Sequence, residues 1–194
     1  MYQALKFNPN IPPQVKRVIQ HLDMLLKDVH AMMRLPLRKE EGLDAGCNFA
    51  AAVFLLEIIG GISTTLYQSP GGSGQKFKGL LENYYPWDIE GITDKTKASN
   101  ELYKWLRNPL AHALGIGGKG GIGKQGFPED LLEKLELSTS PPPNKTLQSI
   151  SAADMLHLSV DSLYWGMRIM ISRLTDDAVM MNKAESFLSK VLPP

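Results

Sequence analysis

Apolar residues recur at spacings of three and four along several long segments of the chain. The first segment begins at Pro13 and carries Val15, Ile19 and Leu22 in such a register. This spacing places the side chains on one face of an α-helix, and no segment shows the strict alternation of a half-buried strand. The sequence therefore predicts an all-α fold: an antiparallel bundle of about five to seven helices in a single domain, residues 1–194.

Prolines and glycines mark where the predicted helices end. Pro36 ends the first helix, and residues 115–127 are too rich in glycine to continue a helix, so they are predicted as a loop. Residues 138–149 contain three consecutive prolines and are predicted as a proline-rich linker before the C-terminal helices. The first of those helices is expected to start at Ser151, where a capping pattern occurs.

A second helix, predicted from Cys47 to about Tyr67, contains a single formal charge, Glu57. Its length approaches the roughly 20 apolar residues of a membrane span, but an acid near the centre of a span is costly. A buried helix at the centre of the bundle is therefore favoured. Because a buried carboxylate needs a partner, Glu57 is expected to pair with Arg107 or Lys104.

Charge and cysteine content exclude several classes of protein. The formal net charge of +1 gives no overall field for nucleic acid, so RNA binding would need a local basic cluster. Cys47 is the only cysteine, and the N-terminus lacks an apolar run behind a basic start. These features predict a cytoplasmic protein without a membrane segment. No metal site is expected, since cysteine and carboxylate clusters are missing, and no cofactor is expected either.

The residues most suited to chemistry are concentrated in the sequence RNPLAH at positions 107–112. Arg107 is a permanent cation whose planar donors fit a phosphate group. His112 titrates near neutral pH and can transfer a proton, and Asn108 offers both a donor and an acceptor. Charge stabilisation and proton transfer are what phosphodiester cleavage without a metal requires.

The spacing of these residues predicts a distorted helix. Arg107 and His112 are five apart, so they diverge by about 140° on a straight helix. Pro109 lacks the amide that would bond to the Trp105 carbonyl, and its ring crowds that turn. We expect the resulting kink to turn Arg107 toward His112, with Lys104 bordering the same polar face.

This segment resembles the ribonuclease motif of HEPN domains, in which an Arg, a polar residue that is commonly Asn, and three further residues precede a His late in a helix. The match covers six or seven residues. It implies a metal-independent endoribonuclease with Arg107, Asn108 and His112 as catalytic residues. It also implies a homodimer whose two motif helices form one composite cleft, where an RNA 2′-hydroxyl attacks the adjacent phosphorus.

A second motif, GKGGIGK at residues 118–124, has the spacing of a phosphate-binding loop. However, Gln125 stands where a Ser or Thr hydroxyl would hold magnesium, and a predicted helix precedes the motif instead of a strand. Hydrolysis of a nucleoside triphosphate is therefore disfavoured. Lys119 and Lys124 are instead predicted to contact RNA phosphates together with Lys104.

Three functions stay open at this point. The first is a ribonuclease, either an RNA-processing enzyme or the toxin of a toxin–antitoxin pair. The second is a non-catalytic HEPN-like module that binds nucleotides or RNA, or dimerises, through the same cationic cleft. The third is a structural interaction domain whose polar strip is a dimer contact. The partners expected are a second copy of the chain, RNA, and a cognate antitoxin or regulatory protein.

Overall fold

The computed structural model describes residues 2–35, 48–107, 120–123, 146–150 and 155–192. These residues are predominantly helical, which confirms the predicted helical bundle. They contain six α-helices: α1 (Pro13–Met33), α2 (Asn48–Thr65), α3 (Ser73–Tyr84), α4 (Lys95–Glu101), α5 (Val160–Asp176) and α6 (Ala178–Val191). Helix α4 continues directly into one π-helical segment, Leu102–Arg107, called the π-turn below.

Helix α1 follows the predicted periodicity closely. Proline stands in its first turn, where the missing amide has no helical partner to lose. The helix buries one face, made of His30 and the apolar residues at the predicted spacing: Val15, Ile19, Leu22, Leu26, Val29 and Met33. That face packs on α2 and α6, so the periodicity in the sequence corresponds to a real core face.

Helix α2 packs against α1, α3, α5 and α6, which confirms its predicted place at the centre of the bundle. One side is nevertheless uncovered, because Phe49, Phe54 and Glu57 are exposed. Glu57 is therefore not the buried carboxylate that was expected. None of the helices in the described ranges combines the length and apolar character needed to cross a bilayer.

Three short strands form a small sheet that the sequence did not predict: β1 (Gly120–Gly123), β2 (Leu147–Ile150) and β3 (Met155–Ser159). The central strand β3 pairs parallel with β1 and antiparallel with β2. Strand β1 falls inside the predicted loop 115–127, and β2 overlaps the predicted linker 138–149, so both boundaries need correction. Because a strand of glycines held by backbone hydrogen bonds shows no apolar alternation, the sequence pattern could not reveal it.

The start of α5 also differs from the prediction. The helix begins at Val160 instead of Ser151, because the residues before it pair within the sheet. Ser159 caps α5, accepting a hydrogen bond from the Ser162 amide at 3.3 Å. Asp161, in the first turn of this helix, is buried.

A buried set of polar residues, the Tyr85 cluster (Tyr85, Glu90, Thr146 and Ser162), ties the start of β2 to the end of α3 and to α5. The Thr146 amide and hydroxyl donate to the Glu90 carboxylate at 3.0 and 2.6 Å. Since the Thr146 hydroxyl donates there, it accepts from the Tyr85 hydroxyl, 2.5 Å away. The Tyr85 hydroxyl also lies 3.2 Å from the Ser162 carbonyl, and burial raises the pKa of Tyr85 well above its ordinary value.

Asp177 joins α5 to α6 and is the N-cap of α6. Its carboxylate accepts hydrogen bonds from the Met180 amide at 2.9 Å and from the Tyr84 hydroxyl at 2.7 Å. The bond from Tyr84, followed by that from the Met180 amide, lowers the pKa of Asp177 below its ordinary value. This carboxylate therefore fastens α6 to the end of α3.

Candidate functional site

Two of the predicted site residues, Arg107 and Lys104, belong to the described part of the chain. The other four lie outside it: Asn108, His112, Lys119 and Lys124. The structure therefore tests the surroundings of the predicted guanidinium and leaves the other assignments as predictions.

Arg107 is the last residue of the π-turn. In such a turn backbone hydrogen bonds span five residues instead of four, a geometry found often at functional sites. Leu102 and Leu106 anchor the turn in the core. A distortion next to Pro109 was predicted, and the helix does depart from α geometry just before that proline. The predicted rotation of Arg107 toward His112 stays a prediction, because His112 lies outside the described residues.

The Arg107 side chain fits into a pocket formed by Glu57, Gly60, Phe77 and Tyr103, called the Arg107 pocket below. The guanidinium carbon lies 6.0 Å from the centre of the Phe77 ring and 5.9 Å from that of Tyr103. Both distances allow attraction between the cation and the ring faces. Gly60 forms the opposite wall, where a Cβ would stand 3.6 Å from a terminal guanidinium nitrogen.

Glu57 provides the negative charge of this pocket. Its Oε1 atom lies 3.9 Å from Nε of Arg107, which confirms the predicted pairing of these two residues. The Glu57 side chain is 50% exposed and that of Arg107 is 17% exposed. Carboxylate and guanidinium thus form an ion pair in which the Glu57 side is the more open to solvent.

The ion pair leaves hydrogen-bonding capacity on Arg107. At 3.9 Å the contact with Glu57 is too long for a hydrogen bond. The buried Nε atom has no hydrogen-bond partner among the described residues. A guanidinium carries five N–H donors. With respect to Glu57, Arg107 is therefore held by charge and packing and not by a hydrogen bond.

Lys104 lies on the outer side of the π-turn. It is exposed, and its Nζ atom lies 4.6 Å from the centre of the Trp105 ring, which is partly buried. Asn100, one turn earlier, is also exposed. The predicted polar face is thus confirmed for these two residues, and a basic group stands beside an aromatic ring at the surface.

Strand β1 adjoins the helix that carries Glu57 and Gly60, since β1 and α2 are in contact. Lys119 and Lys124 precede and follow this strand in the sequence. The glycine-rich motif therefore supplies a strand of the small sheet at residues 120–123. A strand at these glycines does not match a loop that leads into a helix around a phosphate, as the triphosphate-binding motif requires.

Three residues of the Arg107 pocket were not predicted from the sequence. Tyr103 could have been found, because it precedes Arg107 by four positions and such residues are neighbours on a helix. Gly60 and Phe77 lie on other helices, and no local spacing connects them with Arg107. Their contribution depends on how α2, α3 and the π-turn pack together.

Within the described ranges, no group of three or more His, Cys, Asp or Glu side chains is arranged to hold a metal ion. Comparisons with protein-family models, curated protein sequences and solved structures found no match to this chain. The function is therefore argued from the residues and their surroundings.

Proposed function

We propose that the protein is a metal-independent endoribonuclease with Arg107, Asn108 and His112 as its catalytic residues. The observation that carries the proposal is the state of Arg107. This cation is enclosed by two aromatic rings and a carboxylate, and 17% of its side chain stays exposed. A fixed donor group of this kind is suited to charge that develops on a phosphate in a transition state.

In the proposed reaction the RNA 2′-hydroxyl oxygen attacks the adjacent phosphorus, and the bond from phosphorus to the 5′ oxygen breaks. His112 takes the proton of the 2′-hydroxyl or delivers one to the departing oxygen. Arg107 stabilises the negative charge of the pentavalent intermediate, and Asn108 orients His112 or the phosphate. The products are a 2′,3′-cyclic phosphate and a 5′-hydroxyl.

Three lysines are proposed to bind the RNA backbone: Lys104, Lys119 and Lys124. Lys104 is exposed on the π-turn that ends at Arg107, and the other two adjoin a strand that contacts α2. Lysine binds phosphate as a flexible point charge, so these residues are suited to substrate affinity more than to stabilising the transition state.

We further propose that the enzyme acts as a cytoplasmic homodimer, with a cognate antitoxin or regulatory protein as a partner. Support for the dimer comes from the uncovered side of α2. Phe54 lies one turn before Glu57 and is 49% exposed, and Phe49 is also exposed. Aromatic residues exposed beside a charged pocket are typical of a surface that another protein chain covers.

The proposal is tested by incubating the purified protein with single-stranded RNA in EDTA. We expect cleavage to 2′,3′-cyclic phosphate ends, and no cleavage of the matching DNA strand. Arg107→Ala and His112→Ala should abolish cleavage. Arg17→Ala and His21→Ala are matched controls, because both residues are exposed on α1. Persistent cleavage by either motif variant would contradict the catalytic assignment.

A non-catalytic RNA-binding module is the second candidate. The arrangement of Lys104 over the Trp105 ring favours it, since cations beside aromatic rings are common in proteins that bind single-stranded nucleic acid. Wild-type protein that binds RNA but leaves it intact under all the above conditions would select this function.

A further inference from the structure

Glu57 occupies an unusual position in the chain. It is the single charged residue of α2, between Asn48 and Thr65, and aliphatic residues flank it on both sides. Half of its side chain is exposed, so the bundle does not need its burial. An acidic group beside a site proposed to bind RNA phosphates also works against affinity, because like charges repel. Its presence at this point therefore calls for a physical explanation.

The contacts of Arg107 provide that explanation. Two rings and Gly60 confine the guanidinium laterally, and these walls come from α2, α3 and the π-turn. Neutral walls limit where the group lies, but they give it little preference for one rotation over another. The Glu57 carboxylate, 3.9 Å from Nε, supplies that preference by attracting one edge of the planar group.

The geometry of a guanidinium makes this choice of edge important. Its donors are arranged around a rigid plane, and two parallel N–H groups along an edge match two oxygens of a phosphate. When Glu57 attracts the Nε side, the edge formed by the two terminal nitrogens is the edge farther from the carboxylate. The carboxylate contact is too long for a hydrogen bond, so it orients the group without occupying its donors.

From this arrangement we infer that Glu57 is a positioning residue, which orients Arg107 so that its terminal edge faces the scissile phosphate. The inference rests on the proposed ribonuclease function. It assigns Glu57 two opposing effects. The carboxylate accelerates cleavage by orienting Arg107, and it weakens RNA binding because its charge repels the phosphates. A residue that only stabilises the fold would not separate these two quantities.

The experiment compares wild-type protein with Glu57→Gln and Glu57→Asp. Single-turnover cleavage gives the rate of the chemical step, and binding of the same RNA with a 2′-deoxy nucleotide at the cleavage site gives the affinity. We expect Glu57→Gln to bind about threefold more tightly, given the weak repulsion of charges near the surface, and to cleave about tenfold more slowly. Glu57→Asp keeps the charge but loses the reach, so its affinity should stay unchanged while its cleavage slows.

Glu82→Gln on α3 is the matched control, because it removes the same charge as Glu57→Gln. Among the described residues, Glu82 forms no ion pair. It should leave both quantities at the wild-type level. Wild-type cleavage rates in both Glu57 variants would overturn the inference. So would a loss of affinity in Glu57→Gln, since that result would make Glu57 a contact of the RNA itself.

A wild-type protein that does not cleave RNA would refute the proposed function, and the orientation of Arg107 can then be read separately. The Nε–H group of Arg107 gives its own NMR signal, and its exchange with water reports how firmly the side chain is held. We expect this exchange to be at least about threefold faster in Glu57→Gln, because an oriented group exposes its proton less often. Equal exchange in wild type and variant would show that Glu57 does not orient Arg107.

Discussion

The Tyr85 cluster and the Arg107 pocket both place polar groups beside aromatic rings, but they use them in opposite ways. In the Tyr85 cluster the Thr146 hydroxyl lies within 2.6 Å of both Glu90 and Tyr85. In the Arg107 pocket the described residues Arg107 and Glu57 form a 3.9 Å ion pair, and the two rings lie about 6 Å away.

The difference indicates which polar group serves the fold and which is free to serve a ligand. Short hydrogen bonds between buried partners use up the donors and acceptors, and breaking them leaves groups without partners. A cation held by longer contacts has N–H donors that are not bonded to its carboxylate partner. The Tyr85 cluster is therefore interpreted as a structural tie, and the Arg107 pocket as a binding site. Substitutions in the two regions should separate stability from activity.

The largest expected effect is that of Arg107→Ala on RNA cleavage. Removing one preorganised donor group from a transition state typically slows a reaction by about 100-fold or more. The free energy of unfolding should fall by only about 1 kcal/mol, through lost packing of the side-chain stem. Single-turnover cleavage and urea unfolding measure the two quantities. A large loss of stability with little loss of cleavage would show that Arg107 stabilises the fold, as the Tyr85 cluster does, and does not act in cleavage.

Thr146→Val should give the reverse pattern. It removes the hydroxyl that joins Glu90 to Tyr85, and the free energy of unfolding should fall by about 1–3 kcal/mol because both partners stay buried. Cleavage by the folded variant should stay at the wild-type level. Thr146→Ser keeps the hydroxyl and serves as the control in urea unfolding. If serine and valine destabilise the protein equally, the hydrogen bonds are not the source of the stability.

Asp177 provides an intermediate case, since its side chain is partly buried and each of its carboxylate oxygens accepts a hydrogen bond. Asp177→Asn keeps a capping side chain but removes the charge, which should lower the free energy of unfolding by about 0.3–1 kcal/mol near neutral pH. Because the folded-state pKa is lowered, the charge stabilises the fold above the ordinary pKa of 3.8. That contribution disappears as the pH falls through the lowered pKa.

Urea unfolding at about pH 7 and about pH 3 therefore tests the assignment of Asp177. The difference between wild type and Asp177→Asn should be smaller at the acidic pH. If the difference stays constant, the hydrogen bonds from Tyr84 and from the α6 amide do not gain stability from the charge of the Asp177 carboxylate.

Glu57→Gln should have the smallest effect on stability. An exposed ion pair contributes little, so the free energy of unfolding should change by less than about 0.5 kcal/mol. Thermal unfolding of this variant beside Thr146→Val gives a direct contrast between the two regions. A destabilisation as large as that of Thr146→Val would remove the distinction on which the comparison rests.

Sequence periodicity predicted the helices well where one face is apolar. In α1 the apolar residues of the buried face follow the predicted spacing. The sequence analysis of charge also left Arg107 or Lys104 as the partner of Glu57, and Glu57 pairs with Arg107 although its side chain is half exposed. In these cases the interaction that decides the structure is between residues of one helix, or it follows from a single charged residue.

The features that the sequence could not predict depend on contacts between distant segments. Strand β1 consists of three glycines and one isoleucine, and its pairing with β3 leaves no pattern in either segment. Gly60 and Phe77 enclose Arg107 only because their helices pack together. Glu90 resembles a surface acid in the sequence, but it is buried and bonded to Thr146, which is distant in the sequence.

The π-turn makes chain length, as well as residue identity, a determinant of the site. A π-helical turn contains more residues than an α-helical turn. With one residue fewer between Leu102 and Arg107, the segment could continue as regular α-helix. Since each α-helical residue advances by about 100°, the guanidinium would then swing away from the Glu57 carboxylate. A deletion of one residue here is therefore expected to move Arg107 out of its pocket while the rest of the bundle stays folded.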